Sequence, residues 1–396
     1  MSGPLGTLKI LDFSTLLPGP FCSLYLADMG AEVLRIESPT RQDLVRVIPP
    51  YADGESTAHA YLNRNKRSLA LDLKQPEAID IVKRLLAEHD ILIEQFRPGV
   101  MQRLGLGYDD LKLINPQLIY CSITGYGQTG PLRDRAGHDI NYLALSGCAS
   151  YTGRRDSGPL PLGLQVADIA GGSLHAALGI LAAVIHRQQT GQGQHIDISM
   201  TDCAFALNAM AGAAALAGGV EPQMEGTMLN GGSFYDYYRT ADDRYLSVGS
   251  LEPQFMLALA QAIGQPQLAG LGLAQDQATQ QQLKQTLASV FASPPPSHRP
   301  SPSATLDACV EPVLGFSEAV SQPQAVARQW VVQVPTRSGG SQPQIACPIR
   351  FSLTPASYQH TGGPVGEHNA QVLSTAAADY GKHSTSHDIT KRYKKM

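Results

Sequence analysis

Apolar and polar residues follow two different patterns over roughly the first 200 positions of the chain. One pattern is a short run of β-branched residues and leucines, which predicts a buried strand, and it occurs in LKILDF, EVLRIE, SLALDL, DILIEQF, LIYCSIT and HIDISM. The other pattern has apolar positions at helical spacing, as in QPEAIDIVKRLLAEH, and predicts a helix. PFCSLYLADMG is also predicted as a helix, because Pro20 can start it and Gly30 can end it. Strands that alternate with helices are typical of a mostly parallel sheet covered by helices. We therefore predict an α/β fold for this part.

A long helix rich in small residues is predicted just before the last of these strands. It begins at Asp168 and reads IAGGSLHAALGILAAVIHRQQ, and a second alanine-rich helix is predicted from about Thr201. Because charged residues are scarce along the first helix, we expect it to be buried.

The pattern changes between Gly218 and Gly232, where glycines and polar residues dominate. The following YYRTADDRYLSVG predicts a hairpin that turns at Ala241–Asp243, and EPQFMLALAQAIG and QQQLKQTLASVFA predict helices. SPPPSHRPSPS is too rich in proline for helix or sheet, and the β-like stretch from VARQWVVQVPT to CPIRFSLTP is expected to return to the first domain. The predicted domains are a large α/β domain over 1–215, a smaller one over 228–330, and a return segment with a tail over 331–396.

Composition narrows the range of partners. The 396 residues carry a formal net charge of -4, whereas nucleic-acid binding usually shows as a strongly basic face. The six cysteines are scattered without a C-x-x-C pair, which favours neither a disulfide framework nor a zinc site. The chain begins without a signal-like segment and has no unbroken apolar run of membrane-spanning length. We expect a soluble cytoplasmic protein with no metal, no nucleic acid and no membrane among its partners, and a solvated tail at KRYKKM.

The stretch GYGQTGP over 125–131 matches the GxGxxG pattern of dinucleotide-binding loops. A strand precedes it, as that motif requires, but the residues after Gly130 read as loop rather than as a helix whose N-terminus could face a pyrophosphate. The glycines could instead permit positive φ in a turn, or the turn could contact another ligand. The pattern alone leaves these three readings open, with the dinucleotide reading the weakest.

Six ordered stretches carry a resemblance to a known family. They are LLPGPFCSLYLADMGAEVLRIESP, NRNKRSLALDLK, EQFRPGVMQRLGLGYDDL, SITGYGQTGP, AGHDINYLALSG and VADIAGGSLHAALG. Together they resemble CoA-transferase family III, the CaiB/BaiF superfamily, and AGHDINYLALSG with the later EPQF is most similar to its α-methylacyl-CoA racemase branch. The resemblance implies a large Rossmann-like domain built from both chain ends, a small domain between them, and an interlocked homodimer. It also makes the glycine loop a turn that leads to the thioester end of coenzyme A.

The resemblance implies a catalytic set. His138 and Asp168 align with the acid/base pair of the racemase branch, and Glu252 aligns with the glutamate that orients the histidine. Racemising a 2-methylacyl thioester requires two such groups, because one proton leaves the α-carbon from one face and another arrives at the opposite face. Asp168 could also serve as a helix N-cap, and the helix end with Gly171 and Gly172 could stabilise an enolate. From the residues alone, His138 reads as an ordinary structural histidine.

The remaining predicted site residues would contact coenzyme A, which belongs to the substrate, so that no separate cofactor is expected. They are Arg41, Asp72, Leu73, Lys74, Gln75, Arg97, Gly137, Asp139, Ile140, Asn141 and Tyr142, with Lys66 and Arg67 as additional candidates. Ser38 stands where the family usually has a phosphate-binding arginine, and Arg41 is the nearest substitute. The proline-rich segment over 293–303 replaces a helix of the relatives. His175 and His186 are interpreted as packing or solvent residues, and Asp139 more as structural than catalytic.

Two other functions remain open at this stage. In a family III CoA-transferase, the aspartate aligned with Asp168 attacks an acyl-CoA and forms a mixed anhydride, and His138 would not be needed. A CoA-binding protein with impaired catalysis is the third reading, suggested by Ser38 and the proline-rich segment. The histidine of GHDINY together with Glu252 favours the racemase.

Overall fold

The structure is a computed structural model that describes residues 3–294 and 307–374. Most of the proline-rich segment and the basic tail lie outside the described residues. The strands are β1 Lys9–Asp12, β2 Glu32–Glu37, β3 Tyr51–Ala52, β4 Glu55–Ser56, β5 Lys66–Ala70, β6 Ile91–Glu94, β7 Ile119–Thr124, β8 Gly153–Arg154, β9 Gly158–Pro159, β10 His195–Ser199, β11 Asp236–Arg239, β12 Tyr245–Val248, β13 Val310–Pro312, β14 Val331–Pro335 and β15 Ser341–Ile345.

The α-helices are α1 Pro18–Asp28, α2 Thr57–Leu62, α3 Pro76–Leu85, α4 Val100–Arg103, α5 Tyr108–Leu111, α6 Asp139–Leu145, α7 His175–Thr190, α8 Met200–Ala206, α9 Ala209–Gly218, α10 Pro253–Ala262, α11 Gln277–Ala292, α12 Phe316–Ser321 and α13 Pro323–Ala327. Short 3₁₀ turns occur at Leu44–Val47, Cys148–Tyr151 and Pro266–Leu271. The segment Ala167–Leu174 is π-helical and leads directly into α7.

A six-stranded parallel sheet forms the centre of the larger part of the chain, with strand order β10-β7-β6-β1-β2-β5. Numbered by their sequence order within the sheet, these strands run 3-2-1-4-5-6 from the other edge, which is the order of the Rossmann fold. The order reverses between β1 and β6, where Leu11 pairs with Leu92. The apolar runs become strands because both faces of the sheet are covered, so that every residue of β6 and β7 is buried.

The described chain divides into two compact units. Unit 1 comprises residues up to 145, residues 164–207, and the chain from 326 onward; unit 2 comprises 146–163 and 208–325. The predicted large domain ran without interruption to 215, whereas the short β8–β9 hairpin and α9 belong to unit 2. The difference arises because neither stretch carries a strong periodic signal of its own.

Unit 2 has a core of its own around a three-stranded sheet of order β11-β12-β13. The predicted hairpin is present: β11 and β12 pair antiparallel, and Asp243 at the turn has a φ of 61°. The predicted helices α10 and α11 supply Met256, Leu259, Leu283 and Leu287 to the core.

One buried arginine contributes to the contact between the return segment and the rest of unit 1. The Arg64 guanidinium binds both carboxylate oxygens of Asp28 at 2.9 and 2.6 Å and donates to the Ile345 carbonyl at 2.7 Å. The rings of Tyr61 and Tyr358 lie 5.1 and 4.8 Å from the guanidinium carbon. The buried ion pair between Arg64 and Asp28 is therefore also bonded to Ile345, a residue far away in the sequence.

A buried hydrogen-bonded chain crosses three neighbouring strands of the large sheet. Glu94 on β6 accepts the Phe96 N–H at 2.8 Å and bonds the Ser122 hydroxyl on β7, which lies 2.9 Å from Nε2 of His195 on β10. Burial, with the Asp197 charge adding to it, raises the pKa of Glu94 to about 7, and burial lowers the pKa of His195. Burial thus shifts both groups toward their neutral forms.

We expect Glu94→Gln to stabilise the protein at alkaline pH. Because the pKa of Glu94 is raised from 4.5 in the folded state, stability falls as the pH rises between about 4.5 and 7, by roughly 3 kcal/mol in total. Glutamine stays neutral, keeps an oxygen for the Phe96 N–H and can donate to Ser122. In urea unfolding, the variant should therefore have a higher free energy of unfolding than wild type at pH 8.5 and an equal one at pH 4.5. The control Glu221→Gln, at an exposed position, should leave the free energy of unfolding unchanged at both pH values. An equal effect at both pH values would contradict a titrating carboxyl at this position.

The stretch Ala167–Thr190 is long and apolar enough, by length and composition, to cross a membrane, and 44% of its apolar 18-residue window is buried. Unbroken apolar runs predict no stretch of this kind, because polar residues such as Ser173 and His175 interrupt this one. Core helices of soluble proteins pass the same test.

Candidate active site

The parallel sheet brings most of the predicted site to one edge of unit 1. In a parallel sheet the carboxyl ends of all strands lie at the same edge, and ligands bind there near the point where the strand order reverses. Arg41 follows β2, Asp72 follows β5, Arg97 follows β6, and the loop to His138 follows β7. The helical stretch that carries Asp168 leads into β10, so that it also begins at this edge. Topology therefore gathers residues that are 127 positions apart in the sequence, from 41 to 168.

The loop after β1 also lies at this edge, beside the reversal of strand order, and none of its residues is among the predicted site residues. Leu16 in this loop has a φ of 60°, an unusual conformation for a branched side chain, and its N–H donates to the Asp43 carboxylate at 3.1 and 3.2 Å. Gly19 donates its N–H to the side chain of Gln95, just after β6, at 3.0 Å. The strand order of the large sheet identifies this loop as part of the ligand-binding edge. The hydrophobic pattern of the sequence does not give that order.

The two predicted CoA-contacting loops after β2 and β5 are ordered by their own side chains. The Ser38 hydroxyl accepts the N–H groups of Thr40 and Arg41 at 3.3 and 3.1 Å, so the serine shapes the loop from which the exposed Arg41 projects. In the second loop, Asp72 accepts the Lys74 N–H at 3.2 Å and the Gln75 amide at 3.4 Å; Leu73 lies between them and is half-buried.

The two additional basic candidates are engaged elsewhere. Lys66 is buried and donates to the Pro20 carbonyl at 2.9 Å and to Asn63 at 3.2 Å. Arg67 forms an ion pair of 3.1 Å with Glu32. The expectation that Lys66 contacts a phosphate is wrong for this structure, because its ammonium group lies in the protein interior.

The glycine loop is a turn. Gly127 and Gly130 have φ values of 81° and 84°, and the chain continues beyond Gly130 as turn and loop up to α6. A Cβ added to Gly125 would lie 2.6 Å from the Tyr142 ring, and one added to Gly137 would meet the same ring. These glycines therefore provide positive φ and close packing, and the helix that a pyrophosphate loop would require is replaced by loop over 131–138.

His138 ends this loop at the start of α6 and is held by the helix itself. Its carbonyl accepts the N–H groups of Asn141 and Tyr142 at 2.8 and 3.2 Å, and its own N–H donates to the Asn141 side chain at 3.0 Å. The Tyr142 hydroxyl donates to the Gly137 carbonyl at 2.6 Å. The backbone around His138 is thus fixed while its side chain is exposed. Ile140, on the same turn, is exposed as well.

Asp168 lies in the first turn of the π-helical segment, after Val166 as N-cap residue. The prediction that Asp168 is itself the N-cap is therefore wrong. Its N–H instead donates to Oδ1 of Asp139 at 2.9 Å, which joins it to the residue that follows His138. Gly171 and Gly172 are buried against Met200, so they allow close packing of α8 against the π-helical segment. Their predicted stabilisation of an enolate stays a prediction. A π-helical turn is often found at functional sites.

The electrostatic environment of Asp168 suits proton exchange near neutrality. Burial, with the nearby Asp139 charge adding to it, raises the pKa of Asp168 to about 7. Burial also raises the pKa of Tyr142 to about 12, with contributions from Asp168 and Asp139, while Arg97 lowers it. Arg97, Tyr142, Asp139 and Asp168 therefore share one electrostatic environment.

Glu252 lies in unit 2, apart in the sequence from the other catalytic candidates. It is exposed and occupies the N-cap position of α10, where its carbonyl accepts the N–H groups of Phe255 and Met256 at 3.0 Å each. Its predicted approach to His138 stays a prediction. Of the other histidines, His175 bonds the Ala170 carbonyl through Nδ1 at 2.7 Å, and His186 is exposed on α7.

Comparison with known proteins identifies the family. CoA-transferase family III matches residues 5–369. The chain is 38% identical over 377 residues to the alpha-methylacyl-CoA racemase of Homo sapiens, covering 92% of this chain and 91% of that protein. It is 34% identical over 388 residues to the succinate–glutarate CoA-transferase of Agrobacterium fabrum, covering 94% and 95%. A solved CaiB/BaiF family protein from Brucella suis matches with a TM-score of 0.76 at 29% identity, covering 95% of this chain and 100% of that one. The chain, with its Rossmann-ordered sheet and a separate smaller unit, therefore belongs to CoA-transferase family III.

Proposed function

We propose that the protein is a racemase that interconverts (R)- and (S)-2-methylacyl-CoA thioesters. The observation that carries this proposal is the 2.9 Å hydrogen bond between Asp168 N–H and Asp139 Oδ1, because it connects Asp168 directly to the turn that presents His138. A racemase needs two groups that can exchange a proton with one carbon, and these two residues reach the same edge of the sheet from different elements.

The reaction follows from the acidity of the substrate. The thioester carbonyl acidifies the α-hydrogen, one group removes it to give an enolate, and the other group delivers a proton to the opposite face. A carboxyl with a pKa of about 7 is present in both protonation states near neutral pH, so Asp168 can act as acid in one direction and as base in the other. The proposal uses coenzyme A as part of the substrate and requires no separate cofactor. Arg41, Lys74 and Arg97 are the proposed phosphate contacts.

A CoA-transferase is the second candidate, since the chain is also similar to a succinate–glutarate CoA-transferase. In that reaction the carboxylate of Asp168 would be the nucleophile. A pKa of about 7 leaves about half of the carboxyl ionised at neutral pH, so this shift is compatible with either reaction. A transferase would leave His138 without a role, which is why we favour the racemase.

Proton exchange in heavy water distinguishes the two functions. The purified protein is incubated with (S)-2-methylacyl-CoA in D₂O, the α-proton signal is followed by NMR, and optical purity is measured in parallel. We expect deuterium incorporation together with loss of optical purity. CoA transfer to added succinate or glutarate without exchange would identify the transferase, and CoA binding with neither reaction would identify an impaired enzyme.

We also propose that the protein works as a homodimer. In unit 1, α7 and the adjoining π-helical segment expose Leu178 to 66% and Leu174 to 42%, and Ile185 is 57% exposed farther along. In unit 2, every described residue of the apolar α9 is at least partly exposed. Burial against a second copy of the chain would cover these exposed apolar side chains, and a second copy is the occupant that the family resemblance implies.

We expect Leu178→Glu to weaken the dimer. A charge at the centre of an apolar contact loses the burial of a leucine, worth about 2 kcal/mol, and adds the cost of desolvating a carboxylate. Sedimentation velocity should show dimer for the wild type and an increased monomer fraction for the variant, with lower racemase activity. The control is Leu113→Glu, which changes a leucine that is 81% exposed on a loop before β7. A wild type that sediments as a monomer would contradict the proposal.

A further inference from the structure

We propose that Asp139 is a positioning residue that holds the backbone of Asp168 in a fixed place relative to His138. This inference rests on the proposed racemase function and adds a residue that acts through the other two. Its basis is a contact between two elements that the sequence separates: Asp139 begins α6, and Asp168 lies in the π-helical segment 29 residues later.

The Asp168 N–H is one of the donors that the first turn of a helix leaves without a partner inside the helix. Asp139 accepts that N–H at 2.9 Å from a different element. The other end of the segment is also fixed, because the Ser173 hydroxyl donates to the Pro18 carbonyl at 2.6 Å and lies 3.1 Å from the Asp168 carbonyl. Asp139 is therefore the contact that locates the Asp168 end of the segment against the His138 turn.

Asp139 makes this contact from a rigid position. It follows His138, whose backbone is held by Asn141 and Tyr142 of the same helix. A change in the Asp139 side chain would leave the His138 turn in place and release the Asp168 backbone. Displacements of about 1 Å at a reacting group can cost around 100-fold in rate, so a released Asp168 would lower kcat more than it changes KM.

The carboxylate of Asp139 acts on Asp168 through its charge as well as through its hydrogen bond. Among the titratable groups of the elements packed against the π-helical segment, Asp139 and Tyr142 on α6 interact electrostatically with Asp168. On α8, Cys203 lies against Gly171, and Asp202 is exposed. On α1, Cys22 interacts with Asp12 and Lys66 instead, and on α7 His175 bonds the Ala170 carbonyl. On β10, His195 lies against the Ser122 hydroxyl and Asp197 accepts the Gln128 N–H. Removing the Asp139 charge should therefore lower the pKa of Asp168.

Two substitutions separate these effects. Asp139→Ala removes the acceptor and the charge, whereas Asp139→Asn keeps an oxygen for the Asp168 N–H and removes only the charge. We expect Asp139→Ala to lower kcat for racemisation about 100-fold with KM changed less than threefold. Asp139→Asn should recover most of kcat, and the limb of its pH profile that reports Asp168 should move to lower pH. Asp134→Ala, an exposed aspartate of the preceding loop, is the control and should match the wild type.

The outcomes are distinguishable from a failure of the proposed function. Wild-type protein that exchanges no α-proton disproves the racemase and, with it, the pairing that this inference needs. Wild-type exchange combined with an unchanged Asp139→Ala kcat overturns the positioning role alone. An Asp139→Asn variant as slow as Asp139→Ala, with an unmoved pH profile, also overturns it. Circular dichroism of each variant confirms that the comparison is made on folded protein.

Discussion

His138→Ala should lose racemisation of 2-methylacyl-CoA by a factor of about 10² to 10⁴, the range over which positioned acid–base groups contribute to catalysis. Asp168→Asn should have a comparable effect, because it removes the other proton-exchanging group and retains the shape of the side chain. Racemisation is measured by hydrolysing the thioester after the reaction and determining the optical purity of the 2-methyl acid by optical rotation or chiral chromatography. Exchange is measured from the α-proton signal in D₂O.

The stereochemistry of the residual exchange gives a sharper result than the rate alone. If two groups act from opposite faces, a variant with one group can still remove and return a proton on the remaining face. Each variant should then exchange the α-proton of only one enantiomer, with retention, and the two variants should prefer opposite enantiomers. Equal residual exchange of both enantiomers by His138→Ala would show that His138 is not one of the two groups.

The rival transferase gives a different result with the same proteins. Asp168→Asn would abolish CoA transfer because the nucleophile is lost, whereas His138→Ala would leave transfer intact. His186→Ala, an exposed histidine on α7, controls for the loss of an imidazole as such and should retain full activity.

The strands of the large sheet could be predicted from the sequence because each buried strand is itself a short run of apolar residues. EVLRIE and LIYCSIT are read as strands from a few consecutive residues, and the structure places Glu32–Glu37 and Ile119–Thr124 there. The strand order could not be read in this way, since it depends on contacts between residues such as Leu11 and Leu92. The π-helical turn at Ala167–Leu174 was predicted as ordinary helix for a related reason, because its apolar pattern does not distinguish the two.

The site was accessible to sequence reasoning mainly through the family resemblance. His138 at the start of a helix looks structural in isolation, and Asp168 looks like an N-cap. What the residues alone could not reveal is that Asp139 bonds the Asp168 N–H, since this contact spans 29 positions and two elements. For Lys66 the sequence was misleading. A lysine beside an arginine suggests a surface cation, but Lys66 lies in β5 with its ammonium group in the protein interior.

Arg64→Ala should destabilise unit 1 by about 3–5 kcal/mol, the cost of leaving one partner of a buried ion pair uncompensated. Arg64 and Asp28 are both fully buried, and the bidentate contact is complemented by the Ile345 carbonyl. Alanine would leave the Asp28 carboxylate with the Asn65 amide, 2.9 Å away, and no cation in direct contact. Arg64→Lys should recover little, because a single ammonium cannot satisfy two carboxylate oxygens and a carbonyl in the planar arrangement of a guanidinium.

Since Arg64 also donates to the Ile345 carbonyl, its loss should loosen the return segment around that residue, while the bonds of Asn65 to Ser357 and of Ser68 to His368 keep the later part in place. Urea unfolding gives the destabilisation, and limited proteolysis should show earlier cleavage between 345 and 358 in Arg64→Ala than in wild type. Arg67→Ala is the matched control, because its ion pair with Glu32 is 28% and 39% exposed and should be worth less than about 1 kcal/mol. In a double-mutant cycle, Asp28→Ala added to Arg64→Ala should cost much less than the sum of the two single changes, because the second change removes the charge that the first left unpaired. Additive costs would mean that Arg64 stabilises the fold through its aromatic and carbonyl contacts rather than through Asp28.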